Sequence, residues 1–150
     1  MIRNGSTILL VEDSPDDVLL VRRAFQKAGI ENPIVAVENG DEALAYLNGT
    51  GLYADRQKYP LPTLTLLDLK LPRRSGLEVL AWVRQHSGIK RMPIIVLTSS
   101  RDEDDINRAY DLGANSYLVK PVAFDDLLRL VRSLEGYWLS LNVRPDVSAA

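Results

Sequence analysis

Five short apolar runs are spaced along the chain, and most of them are continuous rather than alternating in polarity. Strands that are covered on both faces require such runs, because neither face of the strand meets water. Segments with apolar residues at helical spacing lie between the runs; the first includes Val18, Val21 and Phe25 and ends near Gly29, a residue suited to a helix C-terminus. The pattern predicts strands at 7–11, 34–37, 64–67, 93–97 and 116–119.

Residues that can cap a helix precede four of the helical segments. Ser14, Asn39, Ser75 and Ser100 are each followed three residues later by an acid, which favours the positive end of the helix dipole. The fifth helix is predicted to begin after Ala123, which is a poorer cap by about 1 kcal/mol. Strict alternation of five strands and five helices indicates an α/β fold: a doubly wound, open parallel sheet with helices on both faces.

Polar residues follow the predicted strands where each one ends. Glu12 and Asp13 end the first strand, Asp68 the third, Thr98 the fourth and Lys120 the fifth. A doubly wound sheet binds its ligands outside the carboxyl ends of its strands. We therefore expect three acids, a hydroxyl and an amine to meet in one site.

The charges of this group predict a bound cation. Two carboxylates about 4 Å apart repel by roughly 4 kcal/mol at an effective dielectric constant near 20, so three acids need compensation. Lys120 supplies one positive charge, and an all-oxygen cluster is suited to Mg²⁺. If the metal also holds a phosphoryl oxygen, Asp68 becomes a candidate nucleophile that forms an aspartyl phosphate.

Composition narrows the class of protein. The chain has 150 residues, enough for one ordinary domain, and a net charge of −2 that gives no sign of binding to nucleic acid or an anionic membrane. It contains no cysteine, so it has neither disulfides nor thiolate chemistry. No run approaches the roughly 20 apolar residues of a membrane span, and we expect a cytoplasmic protein.

Four motifs, ILLVEDSPDD, LLDLKLPRRSG, PIIVLTSS and GANSYLVKP, together resemble those of response-regulator receiver domains. The resemblance covers residues 6–141 and leaves 142–150 as a C-terminal tail. It implies the flavodoxin-like strand order 2-1-3-4-5 and a signalling protein, not an enzyme, that receives a phosphoryl group from a histidine kinase. Because only the tail follows, we expect output through the surface of the fourth helix, fifth strand and fifth helix.

The resemblance also implies roles for the site residues. Glu12 and Asp13 would hold Mg²⁺ with the phosphoacceptor Asp68 and the backbone carbonyl of Lys70. Similar proteins often have asparagine at position 70, and the lysine here would bring a second long cation to the rim of the phosphate.

Three further residues, in or next to the fourth and fifth strands, match positions of the family. Thr98 resembles the switch hydroxyl that bonds the phosphoryl group, and Tyr117 the aromatic side chain that moves inward with it. Lys120 resembles the amine that contacts phosphate, and its bond to Pro121 would be cis.

Three other functions compete with that of a phosphorylated receiver. A hydrolase of the aspartyl-phosphate type needs an acid two residues after the nucleophile, where this chain has Lys70. A nucleotide or flavin binder needs a glycine-rich turn after the first strand, and VEDSPDD has no glycine. A receiver-like scaffold that binds partners without phosphorylation stays open, although the intact set of acids argues against it.

Two segments are similar to those of single-domain regulators paired with bacterial phytochrome histidine kinases: the extended connection 49–62 and a prolonged last helix. An apolar stripe on that helix predicts a homodimer through the surface formed by the fourth helix, fifth strand and prolonged fifth helix. The alternative is that its aromatic end folds back onto its own domain, against the 49–62 segment. The stripe comprises Leu127, Val131, Leu134, Tyr137, Trp138 and Leu141.

Overall fold

A computed structural model describes residues 6–148 and contains a five-stranded parallel sheet in the order β2-β1-β3-β4-β5. The strand order and the alternation of strands and helices confirm the predicted fold. The strands are β1 Ile8–Val11, β2 Ile34–Val37, β3 Leu64–Leu67, β4 Ile94–Thr98 and β5 Ser116–Val119. The helices are α1 Pro15–Lys27, α2 Gly40–Asn48, α3 Gly76–Gln85, α4 Glu103–Asp111 and α5 Phe124–Gly136.

The strand register brings the predicted site residues to one edge of the sheet. Val11 of β1 lies beside Leu67 of β3, so the residues that follow these two are neighbours. Thr98 lies beside Val119 on the adjacent pair of strands. The acids and Lys120 therefore emerge at the same carboxyl edge.

Three of the four predicted caps are confirmed: the side chains of Ser14, Asn39 and Ser75 each accept a hydrogen bond from a backbone N–H in the first turn of their helix. The fourth is wrong, because Asp102 caps α4 instead of Ser100. Asp102 directly precedes the first helical residue, while the Ser100 hydroxyl accepts from the Asp102 N–H at 3.2 Å.

The apolar core has one part on each face of the sheet. On one face, α2 and α3 pack against β1 and β3 around fully buried residues such as Tyr46 and Leu80. On the other, α1 and α5 cover the sheet around residues such as Phe25 and Val131. The helices thus hold the sheet from both sides and leave its carboxyl edge for the site.

The 49–62 connection packs on the α2 and α3 face. Its short 3₁₀ turn, Gly51–Tyr53, brings Tyr53 and Tyr59 to Tyr46, with ring centroids 5.0 and 6.1 Å from that of Tyr46. The guanidinium of Arg56 donates to the carbonyls of Leu47 and Tyr59. This connection is therefore part of the fold.

The last helix corrects the predicted dimer stripe. Leu127, Val131 and Leu134 are buried in the core of their own domain, so they are not available to a second copy. After Gly136 the backbone widens into a π-helical turn, Tyr137–Leu141, and Trp138 packs on the α1 and α5 core. The fold-back alternative is therefore right for Trp138, but the contact is with that core, and the 49–62 segment lies in the core of the opposite face.

Tyr137 and Leu141 keep exposed side chains, 54% and 77% accessible. Beyond them the tail runs to the opposite edge of the sheet from the site, where the Arg144 guanidinium donates to the Ser6 hydroxyl and the Ser148 N–H donates to the Gly88 carbonyl. The last two residues of the predicted tail, 149–150, lie outside the described part. Within 6–148, no helix has the length and apolar character needed to span a membrane.

Candidate functional site

Three carboxylates meet at the carboxyl edge of β1 and β3. Glu12, Asp13 and Asp68 each place one oxygen within 4.8 Å of the other two. Glu12 and Asp68 are 3% and 6% exposed, whereas Asp13 is exposed to solvent. Packing two acids this close in a buried position is unfavourable unless a proton or a cation offsets their charge.

Lys120 lies at the centre of this acidic cluster. Its Nζ is 2.9 Å from both carboxylate oxygens of Glu12, 2.9 Å from Asp68 Oδ2 and 2.9 Å from Asp17 Oδ2. The amine of Lys120 therefore lies between Glu12, Asp17 and Asp68. The Lys120–Pro121 bond is trans, so the prediction of a cis bond is wrong for this structure. Trans is the lower-energy form of an X–Pro bond by about 0.5–1 kcal/mol, and Lys120 reaches Glu12, Asp17 and Asp68 in that form.

Burial and hydrogen bonding set the protonation of the cluster. Burial, followed by the hydrogen bond with Asp68, raises the pKa of Glu12 to about 8. Burial also acts to raise the pKa of Asp68, but hydrogen bonds from Glu12 and Lys120 outweigh it and hold this pKa below its ordinary value. Asp68 therefore stays ionised, as a nucleophilic carboxylate must.

The donor set fits Mg²⁺. Three carboxylates at one edge offer only hard oxygen ligands, and with two of them buried a divalent ion would replace the proton that Glu12 otherwise keeps. Neither cysteine nor histidine contributes to the cluster, which argues against a site built for a softer metal. The acids Glu12, Asp13 and Asp68 would hold the ion.

The predicted switch pair lies beside the cluster on β4 and β5. The Thr98 side chain is fully buried, and its hydroxyl, which helps to lower the pKa of Asp68, makes no well-formed hydrogen bond within residues 6–148. A buried hydroxyl without such a bond is unfavourable, so the Thr98 O–H is available to donate to an oxygen brought next to it. Tyr117 is half-buried and donates its hydroxyl proton to the Ser100 carbonyl at 2.9 Å.

Lys70 does not bring its amine to the acceptor. Its backbone N–H donates to Asp68 Oδ1 at 3.3 Å, whereas its Nζ lies 3.2 Å from Asp105 on α4. Asp105 also accepts from the Ser100 hydroxyl at 2.7 Å. The Lys70 amine, expected at the rim of the phosphate, thus pairs with Asp105 instead. This ion pair links the loop after β3 to α4.

Sequence reasoning assigned Asp17 to the helix dipole and gave Asp105 no role at all. Each lies in the first turn of a helix that follows one of the strands ending at the site. Its position in the sequence therefore places it near the carboxyl edge of the sheet but does not identify the residue it pairs with. The signal that could have found them is shared: an acid in that turn can reach a lysine in the loop that follows another strand.

Comparison with known proteins places these residues in context. Residues 8–132 match the model of the response regulator receiver domain. The chain is 40% identical over 138 residues to the response regulator Rcp1 of Synechocystis sp., covering 92% of each protein. The crystal structure of the phosphorylated cyanobacterial phytochrome response regulator RcpA is similar at 39% identity, with a TM-score of 0.87 over 94% of this chain and 99% of that one.

The structure of the Mn²⁺-bound form of Rcp1 is also similar, at 39% identity and a TM-score of 0.83 over 93% of this chain and 99% of that one. Its bound divalent ion agrees in kind with the all-oxygen cluster at the edge of β1 and β3.

Proposed function

Because this chain belongs to the response regulator receiver family, we propose that a histidine kinase phosphorylates Asp68 in a reaction that requires Mg²⁺. The observation that carries the proposal is the environment of Asp68: a buried, ionised carboxylate that accepts from Lys120 Nζ at 2.9 Å and shares a metal-sized cluster with Glu12 and Asp13. A carboxylate with a lowered pKa at the ligand-binding edge of a doubly wound sheet is a candidate functional group.

In the proposed transfer, a carboxylate oxygen of Asp68 forms a bond to phosphorus while the phosphorus–nitrogen bond of the kinase's phosphohistidine breaks, and the imidazole keeps the electron pair. Lys120 already donates to Asp68 Oδ2, so its amine is in place for an oxygen of the transferred group. Bound Mg²⁺ supplies the remaining neutralisation of charge on those oxygens. The chain acts as phosphoacceptor and not as an enzyme that turns over a separate substrate.

The Thr98 hydroxyl would transmit phosphorylation of Asp68 to the surface of the domain. A phosphoryl oxygen would supply the partner that the buried Thr98 hydroxyl lacks within the described residues. Movement of Thr98 toward it opens space beside β5, and Tyr117 would leave the Ser100 carbonyl to fill that space. The expected output is a changed surface on α4, β5 and α5.

Intact mass tests the phosphorylation. With Mg²⁺ and phosphoramidate, the chain should gain the mass of one phosphoryl group, in a bond that hydroxylamine cleaves. Asp68→Asn should gain none, whereas Asp13→Ala should lose Mg²⁺ affinity and phosphorylation together. Undiminished labelling of Asp68→Asn, or of the wild type in excess chelator, would contradict the proposal.

The partner kinase is proposed to be a phytochrome-type sensor in the cytoplasm. The similarity to regulators whose structures are named for phytochrome or bacteriophytochrome, over nearly the whole of both chains, supports this choice. Phosphotransfer from a purified phytochrome kinase should be faster than from an unrelated histidine kinase at equal concentration. Equal rates would remove the phytochrome pairing and leave the chemistry intact.

A homodimer through the end of α5 is also proposed, with Tyr137 and Leu141 as its centre. Both side chains are exposed and lie one turn apart, next to the half-buried Trp138. Sedimentation should show a dimer for the wild type and a monomer for Leu141→Glu. Leu52→Glu, an equally exposed leucine on the 49–62 connection, is the control that should stay dimeric. A monomeric wild type at tens of micromolar, with and without beryllofluoride, would contradict the dimer.

A further inference from the structure

The Lys120 amine is held by a third acid that does not belong to the predicted set. Asp17 Oδ2 lies 2.9 Å from Lys120 Nζ, the same distance as the oxygens of Glu12 and Asp68. An ammonium group has three N–H donors. Glu12, Asp17 and Asp68 therefore engage all three, and each acid fixes one direction of the amine.

Asp17 is itself fixed by the start of α1. The Ser14 hydroxyl accepts from the Asp17 backbone N–H, and the N-terminal turn of a helix favours a negative charge at this position. The neighbouring acid Asp16 lies in the same turn, but it is exposed. Only one of the two acids of this turn thus points at the site.

A cavity adjoins the side chains of both Lys120 and Asp17. It has a volume of about 40 Å³, lies between α1 and α5, and is lined by residues that include Leu20 and Leu127. The ion pairs of Lys120 with Glu12, Asp17 and Asp68 are therefore the directional contacts that fix its amine beside this space.

From these contacts, and on the basis of the proposed phosphorylation of Asp68, we infer that Asp17 is a positioning residue. It holds one N–H of Lys120 while Glu12 holds another, so that the third N–H faces Asp68, where the oxygens of the transferred phosphoryl group come to lie. Without Asp17 the amine can rotate, and its bond to the transferred oxygens is lost for part of the time. Positioning of this kind acts on the rate of phosphorylation and leaves the metal ligands in place.

The test compares Asp17→Ala with Asp16→Ala, which removes an equal charge from the same helix turn. At saturating Mg²⁺, phosphorylation of Asp68 by phosphoramidate should slow by about tenfold in Asp17→Ala. Asp17→Asn, which keeps an acceptor oxygen, should lose less, and Asp16→Ala should match the wild type. Equal melting temperatures for the variants would show that folding is not the cause.

A second readout reports on the amine directly. Lys120 should be acylated by a small amine-selective reagent several-fold faster in Asp17→Ala than in Asp16→Ala, as measured by peptide mass spectrometry. Equal rates of phosphorylation in Asp17→Ala and Asp16→Ala would overturn the inference, and so would a slower Asp17→Ala whose Lys120 is no more reactive. If the wild type takes no phosphate on Asp68, the proposed function fails, and Lys120 reactivity then decides separately whether Asp17 orients the amine.

Discussion

Two neighbouring helices of similar length, α3 and α4, differ sharply in how they are held. α3 begins with a capping box between Ser75 and Glu78 and buries five of its ten residues, including Leu80, which is fully buried. α4 buries only Ala109 among its nine residues and carries three acids in its first turn. Most of the free energy that fixes a helix in a domain comes from such burial, so α4 is the less firmly attached of the two.

The polar contacts of α4 lead to the site. Asp105 pairs with Lys70 on the loop after β3 and accepts from the Ser100 hydroxyl. The Ser100 carbonyl in turn accepts from Tyr117, the proposed switch residue. Elements with few buried contacts open locally at low free-energy cost. The difference in burial indicates that phosphorylation of Asp68 would move α4 and β5 at a lower free-energy cost than α3. The well-packed α3 would then keep its position.

Removing buried volume from each helix should give the largest difference. Leu80→Ala in α3 should lower the free energy of unfolding by about 2–5 kcal/mol, because it leaves a cavity in the core. Tyr110→Ala in α4, where the side chain is 50% exposed, should cost less than about 0.5 kcal/mol. Urea unfolding of both variants measures the two values. Similar losses would show that the two helices are equally well packed.

The site between the helices should respond to pH through Glu12. Burial, together with the hydrogen bond to Asp68, raises the pKa of Glu12 from 4.5 to about 8. Between these pH values the folded, metal-free protein keeps a proton that the unfolded chain has lost. The contribution of this proton to the free energy of unfolding is therefore fully present below pH 4.5 and is lost as the pH rises to about 8.

Mg²⁺ requires the ionised Glu12, so its affinity should rise over the same range and level off above pH 8. Glu12→Gln should remove the loss of stability with pH, whereas Leu80→Ala should keep it. Urea unfolding in chelator and calorimetric titration with Mg²⁺ provide the measurements. A wild type whose stability and Mg²⁺ affinity do not change between pH 5 and pH 8 would contradict the raised pKa of Glu12.

Cutting the link between the loop after β3 and α4 should have the smallest effect on stability. Lys70→Ala removes an ion pair whose lysine is largely exposed, which is worth about 0–1 kcal/mol. Hydrogen exchange should nonetheless become faster in α4 and stay unchanged in α3. Arg129→Ala, which removes the exposed pair with Asp126 on α5, is the control and should leave α4 unchanged. If hydrogen exchange in α4 is the same in Lys70→Ala as in the wild type, the ion pair does not couple α4 to the loop after β3.

Much of the fold could be predicted because local rules determine it. The predicted strands agree with the observed ones to within a residue, since continuous apolar runs and their polar ends mark a strand that is buried on both faces. Glu12, Asp68 and Lys120 came together for a related reason, because parallel strands deliver their ends to one edge.

What the sequence could not predict depends on side-chain partners from distant segments. Lys70 turns to Asp105 rather than to the phosphate rim, and Asp17 reaches Lys120 across 103 residues of sequence. Trp138 continues the helical stripe in the sequence, but a π-helical turn directs it onto its own core. The spacing of residues in the sequence predicts which face of an element a residue lies on. The partner that its side chain finally contacts depends on residues far away in the sequence.

Hydrogen exchange in the presence of Mg²⁺ and beryllofluoride, a mimic of the phosphoryl group, tests the central claim most directly. The account predicts altered exchange in α4 and β5, little change in α3, and no change anywhere in Asp68→Asn. Thr98→Ala should still bind beryllofluoride but lose the response of α4 and β5, because its buried hydroxyl is the group proposed to bond the mimic. A wild type that shows the same exchange with and without beryllofluoride, or a response shared equally by α3 and α4, would contradict the account.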